Sequence, residues 1–221
     1  MTDPATEARS TQQWVRRPVD GLAVVVGLVV LGVGMLAVRD GDVSDAEEAV
    51  FDAVNGLTGA LYPVLWPFQQ LGVLVVGPLV ALIALLTRHF RLALAALLAT
   101  VLKLVCERAV KAAVTRERPG TSIGSDVELR GDVPIAGESF VSGHAVLVAA
   151  LAMLVAPYLH GRWRYVPWIA VALVLVARVY VGAHNPLDVL CGAGLGLAIG
   201  GALNLIVGVP APEERTVDTL V

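Results

Sequence analysis

The sequence predicts an all-α polytopic membrane protein with six transmembrane helices, and two observations carry that prediction. Of the 221 residues, 57% are hydrophobic and 16% are charged, whereas soluble domains carry about a quarter charged residues. The apolar residues also cluster in long runs that approach the roughly 20 residues a helix needs to cross a bilayer. We therefore expect an integral cell membrane protein.

Each expected span corresponds to one apolar run. The run from Gly21 to Val38 contains no charged side chain and is longer than a signal-peptide core, so we expect a retained first span rather than a removed leader. Pro63 and Pro67 interrupt the next apolar stretch, so a turn or interfacial segment is expected there and the second span follows it. The second to sixth spans are expected at about 71–87, 92–111, 142–159, 165–181 and 186–209.

The segment SDAEEAVFDAVNGL, between the first two spans, predicts a short interfacial helix. Ser44 and Glu47 have the spacing of a capping box, and apolar residues follow at helical intervals. The membrane domain is expected at 19–209, after a cytoplasmic tail at 1–18 and before a C-terminal tail at 210–221 that we expect to be disordered.

The arginines predict the orientation of the chain in the membrane. They concentrate in the N-terminal tail and in the second-to-third and fourth-to-fifth loops, which share one side if there are six spans. The positive-inside rule places that side, with both termini, in the cytoplasm. The arginines concerned are Arg9, Arg16, Arg17, Arg88, Arg91, Arg162 and Arg164.

Composition also argues against several partners and cofactors. The net charge of −3 does not favour a nucleic-acid partner. Cys106 and Cys191 lie in apolar runs without metal-ligand spacing, so no disulfide framework, metal site or cofactor is predicted. Gly192, Gly196 and Gly200 form a small-residue stripe that favours close helix packing, either inside the monomer or in a homodimer.

Polar residues collect in three segments at the expected outer ends of the spans. Ser142 and Gly143 precede a helix whose first N–H groups attract anions. Ionisable residues at membrane depth are functional candidates, so the three segments together predict an anion-binding pocket. The segments are KAAVTRERP (111–119), SFVSGHA (139–145) and ARVYVGAHNPLD (177–188), and their cationic donors include Lys111, Arg118 and Arg178.

Two histidines would face this pocket. Pro186 suits the first turn of the sixth helix. Asp188, one turn further on, could reach back to one nitrogen of His184 and leave the other free to attack phosphorus. His144 would be the general acid that protonates the leaving oxygen. Because fixed cations would stabilise the phosphoryl oxygens, the reaction is expected to need no metal.

The order and spacing of these residues resemble the type 2 phosphatidic acid phosphatase (PAP2) superfamily of membrane lipid phosphatases. The motifs Lys-x6-Arg-Pro, Ser-Gly-His and Arg-x5-His-x3-Asp occur in order within about 103–196. The resemblance implies a phosphohistidine at His184, acid catalysis at His144 and a supporting role for Asp188. It implies phosphate contacts from Lys111, Arg118, Ser142, Gly143 and Arg178.

Two positions depart from the family pattern. Val141 stands where proline commonly precedes Ser-Gly-His, and Ala177 stands where serine commonly precedes the motif arginine. Neither residue would transfer a proton, so we still expect an active enzyme.

Three neighbouring features receive structural interpretations. Arg116 is expected to anchor a helix end at the membrane interface. Lys103, Glu107 and Lys111 share one helix face, which predicts an internal ion pair; the alternative is that Glu107 positions Lys111. The acidic loop 120–139 is expected to be a solvated connection rather than a mobile cover over the site.

The sequence therefore predicts a metal-independent lipid phosphatase with its site facing outside the cell. A polyprenyl diphosphate, phosphatidylglycerol phosphate and phosphatidate all stay open as substrates, because the motif residues bind phosphate rather than the lipid tail. The alternatives are a lipid phosphotransferase using the same intermediate, or a non-catalytic lipid-binding or transport protein. The haloperoxidases of the superfamily are soluble, and this hydropathy disfavours them.

Overall fold

The computed structural model describes residues 13–211, and this part of the chain is predominantly helical. The predicted disorder of the C-terminal tail, and most of the predicted N-terminal tail, fall outside the described residues. In chain order the elements are β1 (Trp14–Val15), α1 (Pro18–Ala37), α2 (Asp45–Asn55), α3 (Tyr62–Gln69), α4 (Val76–Leu86), α5 (Phe90–Ala113), α6 (Pro119–Ser122), α7 (Gly143–Val155), α8 (Val166–Tyr180), α9 (Pro186–Val207) and β2 (Val209–Pro210).

The expected spans occur as helices, but fewer qualify as membrane spans by length and apolarity. Within residues 13–211, α1, α9 and the segment Gly161–Tyr180 that ends with α8 qualify, and the pair α3–α4 makes a fourth if its two parts form one bent span. Helix α5 has 24 residues but carries several charged side chains, and α7 with the turn after it is shorter than the others. Composition alone therefore supports three or four of the six expected spans.

The segment with the two prolines was expected to be a turn or an interfacial segment; the structure shows a helix rather than a turn, and an interfacial position stays a prediction. It forms helix α3, because Pro63 occupies the first turn, where its missing N–H is tolerated. The chain then bends by 69° before α4. This bend brings Gly72 into the interior of the molecule.

A helix occurs between the first two expected spans, as α2, whereas its position at the membrane interface stays a prediction. The Ser44 side chain accepts a hydrogen bond from the Glu47 backbone N–H, as the capping spacing predicts. The Glu47 side chain is buried, however, and bonds to groups elsewhere in the chain. Helix α2 is therefore docked on the bundle through its own acidic residue.

Helix α9 lies at the centre of the bundle, between α1 and α7. The predicted glycine stripe faces α7: a Cβ at Gly192 would lie 2.7 Å from the Ser142 carbonyl oxygen, and one at Gly200 would lie 2.9 Å from that of Ala150. The stripe is therefore a packing contact inside the monomer, because only residues without a side chain allow the two backbones this approach.

The two ends of the described chain meet at one end of the bundle. Strand β1 precedes α1, strand β2 follows α9, and the two strands pair antiparallel. Asp20 is fully buried beside them, where it accepts hydrogen bonds from Arg17 and Asn204. The candidate site described below lies at the opposite ends of α1 and α9.

Candidate active site

One cavity of about 600 Å³ collects residues from all three predicted segments. It opens between α3, α5, the N-terminus of α7 and the turn between α8 and α9. Ser142 and Asp188 do not line it; both side chains are fully buried directly behind it. The predicted site residues that line the cavity are Lys111, Arg118, Gly143, His144, Arg178 and His184.

His184 and Asp188 lie together at the start of α9, but their contact is longer than a hydrogen bond. The distance from His184 Nδ1 to Asp188 Oδ2 is 3.7 Å, whereas such bonds are about 2.7–3.2 Å long. Asp188 Oδ2 instead accepts the backbone N–H of Asn185 at 2.8 Å. The prediction that Asp188 reaches back to the imidazole is therefore met only as a close approach, with Nδ1 turned toward the carboxylate.

Burial suppresses the positive charge of His184. The ring is in the turn between α8 and α9, and burial lowers its pKa to about 4; Arg178 and Arg118 lower it further, while Asp188 opposes them. The imidazole is therefore neutral at neutral pH. Since Nδ1 faces Asp188, Nε2 is the nitrogen that can act as a nucleophile.

Arg116 is not an interface anchor, which corrects the expectation from sequence. Its side chain is fully buried and donates to both oxygens of Glu47, at 3.1 and 2.6 Å, and to Asp188 Oδ1 at 2.9 Å. Although burial works against its charge, the two carboxylates raise the pKa of Arg116. Glu47 Oε1 also accepts the Leu187 backbone N–H at 2.8 Å. This buried ion-pair network holds Asp188 from the side opposite His184.

The three cations predicted from the sequence line the cavity from different parts of the chain. The Arg178 guanidinium donates to Gln69 Oε1 at 2.9 Å, and Arg118 donates to the Ala183 carbonyl oxygen at 2.8 Å. Lys111 sits at the end of α5. A guanidinium has five N–H donors, so each arginine keeps donors for an anion in the cavity. The carbonyl and amide contacts fix the direction in which these donors point.

The Ser142–Gly143–His144 segment begins α7 as predicted, but Ser142 does not cap it. Its N–H donates to the Asp188 carbonyl oxygen at 3.0 Å, and its buried Oγ has no hydrogen-bond partner among residues 13–211. Gly72, at the bend before α4, packs against His144, where an added Cβ would lie 2.6 Å from the His144 Cβ. The bend therefore supports the imidazole, a role that the sequence did not reveal.

Lys103, Glu107 and Lys111 form the predicted ion pair on one face of α5. The Glu107 carboxylate lies 2.7 Å from the Lys103 ammonium and 3.1 Å from the Lys111 ammonium. It also lies against the Cα of Gly143, where no side chain would fit. The contacts of Glu107 fit both interpretations. Its carboxylate forms the internal ion pair with Lys103, and it also contacts the Lys111 ammonium and so positions that side chain.

The loop 120–139 forms one wall of the cavity, which corrects the expectation of a plain solvated connection. Arg130 donates to the carbonyl oxygens of Asn55 and Leu57, at 2.8 and 2.9 Å, and stacks 4.1 Å from the centre of the Tyr180 ring. These contacts hold residues 131–134 at the cavity. The sequence feature that could have indicated an ordered loop is Arg130, the one arginine among the acidic residues of this loop.

Comparison with known proteins adds independent findings. The family model described as the PAP2 superfamily matches residues 84–209, which is more than half of the chain and includes all three polar segments. A lipid A 4′-phosphatase of Porphyromonas gingivalis is 32% identical over 62 residues, which are 28% of this chain. The match spans 26% of that relative's length.

Two solved structures share the fold. The crystal structure of Aquifex aeolicus LpxE matches with a TM-score of 0.66 at 24% identity, covering 74% of this chain and 96% of that one. A transmembrane PAP2-type phosphatidylglycerolphosphate phosphatase from Bacillus subtilis matches with a TM-score of 0.64 at 22% identity, covering 84% and 94%.

Proposed function

Because this chain belongs to the PAP2 superfamily, we propose that it is a membrane lipid phosphatase that works through a phosphohistidine at His184. The single observation that supports this most is the shared cavity, in which two imidazoles lie among five cationic side chains, including the predicted Lys111, Arg118 and Arg178. A phosphoryl group brings negative charge that such cations stabilise, and more strongly as charge develops in the transition state.

The proposed reaction has two steps. His184 Nε2 attacks the phosphorus, forming an N–P bond while the bond to the lipid oxygen breaks and His144 protonates that oxygen. Water then attacks the phosphohistidine, His144 takes its proton, and the N–P bond breaks to release inorganic phosphate. Asp188, held by Arg116 and the Asn185 N–H, stabilises the positive charge that His184 acquires during attack.

The phosphate is proposed to bind at the N-terminus of α7. The backbone N–H groups from Gly143 onward carry the positive end of the helix dipole. Lys111, Arg118 and Arg178 line the same cavity. Ser142, whose Oγ is buried without a partner in the described chain, is the remaining proposed donor.

We propose six spans, with both termini in the cytoplasm and the site outside. The pairing of β1 with β2 supports an even number of crossings, because it joins the two ends of the described residues 13–211 on one side. Helix α5 has 24 residues and extends about 36 Å at the rise of an α-helix, which is long enough to cross a bilayer. Three of its charged residues, Lys103, Glu107 and Lys111, line the candidate cavity. The arginines next to the paired strands favour the cytoplasm for that side.

The proposed substrate is a lipid phosphate or diphosphate. The names of the related proteins include phosphatases of lipid A and of phosphatidylglycerol phosphate, so a lipid-linked phosphate is their common feature. The cavity combines a cationic interior with a lining that includes Trp66 and Val133, which suits a charged head group joined to an apolar tail.

A phosphate-release panel tests the proposal. Purified protein is assayed with lipid monophosphates and diphosphates, with and without EDTA, orthovanadate and an acceptor lipid. We expect release that EDTA spares and vanadate inhibits, and we expect His184→Ala to abolish it. Full release by His184→Ala would refute the phosphohistidine, and transfer to the acceptor in place of release would identify a phosphotransferase. Lipid binding without either reaction would identify a non-catalytic protein.

A further inference from the structure

The cavity extends beyond the residues that the proposed phosphate site uses. Lys103 also lines it, two helical turns before Lys111 on α5 and therefore about 12 Å deeper along the helix. It belongs to no motif that we assigned to the reacting phosphate. A lysine at this depth in a membrane protein is costly unless it has a partner or a function.

Glu107 neutralises only one of the two lysine charges at this position. One carboxylate is shared between the ammonium groups of Lys103, at 2.7 Å, and Lys111, at 3.1 Å. The three side chains therefore carry one net positive charge. Each ammonium has three N–H donors, so both lysines keep donors after the contacts to Glu107 are counted.

Lys103 is close to the group that would protonate the leaving oxygen. The Glu107 carboxylate that it contacts lies against Gly143, the residue before His144. Gln69 and Gln70, which precede the bend at Gly72 that packs on His144, also line the cavity. The cavity next to His144 is therefore polar and positively charged. An alkyl leaving group would require apolar side chains there, whereas this lining suits a charged leaving group.

We propose that Lys103, supported by Glu107, forms a second anion-binding subsite that receives the inner phosphate of a lipid diphosphate. This inference rests on the proposed function. His184 would attack the terminal phosphorus and form an N–P bond, while the bond between that phosphorus and the bridging oxygen breaks. His144 would protonate the bridging oxygen, and the lipid monophosphate would leave with its remaining negative charge beside Lys103. Water would then attack the phosphohistidine, His144 would take its proton, and the N–P bond would break to release inorganic phosphate.

The competing explanation is that Lys103 only neutralises Glu107. The two explanations differ in which substrate has a lower kcat/KM after the Lys103 ammonium is removed. Loss of a subsite for the inner phosphate affects the diphosphate alone, whereas loss of a structural ion pair disturbs Lys111 and affects every substrate.

The test compares kcat/KM for a lipid diphosphate and for the monophosphate of the same tail in the wild type, Lys103→Met and Lys103→Arg. Methionine keeps most of the length of the side chain without its charge, and Glu107 stays paired with Lys111. We expect Lys103→Met to lower the diphosphate value about 10–100-fold, the range for a hydrogen bond to a charged group. The monophosphate value should fall less than about threefold, and Lys103→Arg should keep the wild-type preference.

A second measurement needs only wild-type protein. Inorganic pyrophosphate should inhibit at least about tenfold more strongly than inorganic phosphate, because it spans both subsites. Equal losses for both lipids in Lys103→Met, or equal inhibition by the two inorganic anions, would overturn the second subsite and leave the phosphatase proposal intact. No release from any lipid phosphate or diphosphate by the wild type would overturn both proposals.

Discussion

Replacing Arg116 by methionine tests the buried ion-pair network behind the site. The guanidinium makes three hydrogen bonds to the carboxylates of Glu47 and Asp188, at 3.1, 2.6 and 2.9 Å, and one to the Asp42 carbonyl oxygen at 3.1 Å. The side chains of Arg116 and Asp188 are 0% exposed and that of Glu47 is 5% exposed. Methionine would leave two carboxylates buried without their cation.

The expected loss follows from the cost of an unpaired buried charge. Removing one partner of a buried ion pair costs about 3–5 kcal/mol, which is a large part of the roughly 5–15 kcal/mol that keeps a typical protein folded. Activity should fall on the order of 100-fold, because a displacement of Asp188 would move the neighbouring His184 out of its attacking position.

The assay is a denaturant titration of detergent-solubilised protein combined with phosphate release. Arg108→Met is the matched control: the same substitution at an exposed position of α5 should change the free energy of unfolding by less than about 0.5 kcal/mol. Adding Glu47→Gln to Arg116→Met should recover roughly 1–3 kcal/mol, because one of the unpaired charges is then gone. If Arg116→Met is as stable and active as Arg108→Met, the network does not support the site.

Two further predictions concern the imidazoles. His184 should titrate near pH 4 rather than near 6.5, so its reactive neutral form is lost only as the pH falls through about 4. NMR titration of histidine-labelled protein measures this pKa, and His184→Ala assigns the signal. A midpoint near 6.5 would contradict the conclusion that burial lowers the pKa. Gly72→Ala should lower kcat/KM on the order of 100-fold without unfolding the protein, because its Cβ would lie 2.6 Å from the His144 Cβ. Gly59→Ala, whose Cβ meets nothing within 4 Å, is the control, and equal activity of the two variants would exclude a supporting role for the bend.

The sequence alone determined the features that depend on local pattern. Apolar runs predicted the helices, because burying a side chain in lipid or core depends mainly on its own polarity. The Ser44 cap and the Pro186 start involve atoms within one helical turn, so residue spacing was enough to predict them. The three polar segments also identified in advance six of the residues that share one cavity.

Only the tertiary structure decided which distant groups meet. Arg116 was expected at the membrane interface, since no pattern within one segment indicates a carboxylate 69 residues away on Glu47. The 3.7 Å contact of His184 with Asp188 is longer than their spacing suggested, because Arg116 and a backbone N–H hold the carboxylate. Composition and spacing report what a residue prefers within its own helix, whereas the energy of a buried charge depends on partners that only the packed chain brings within reach.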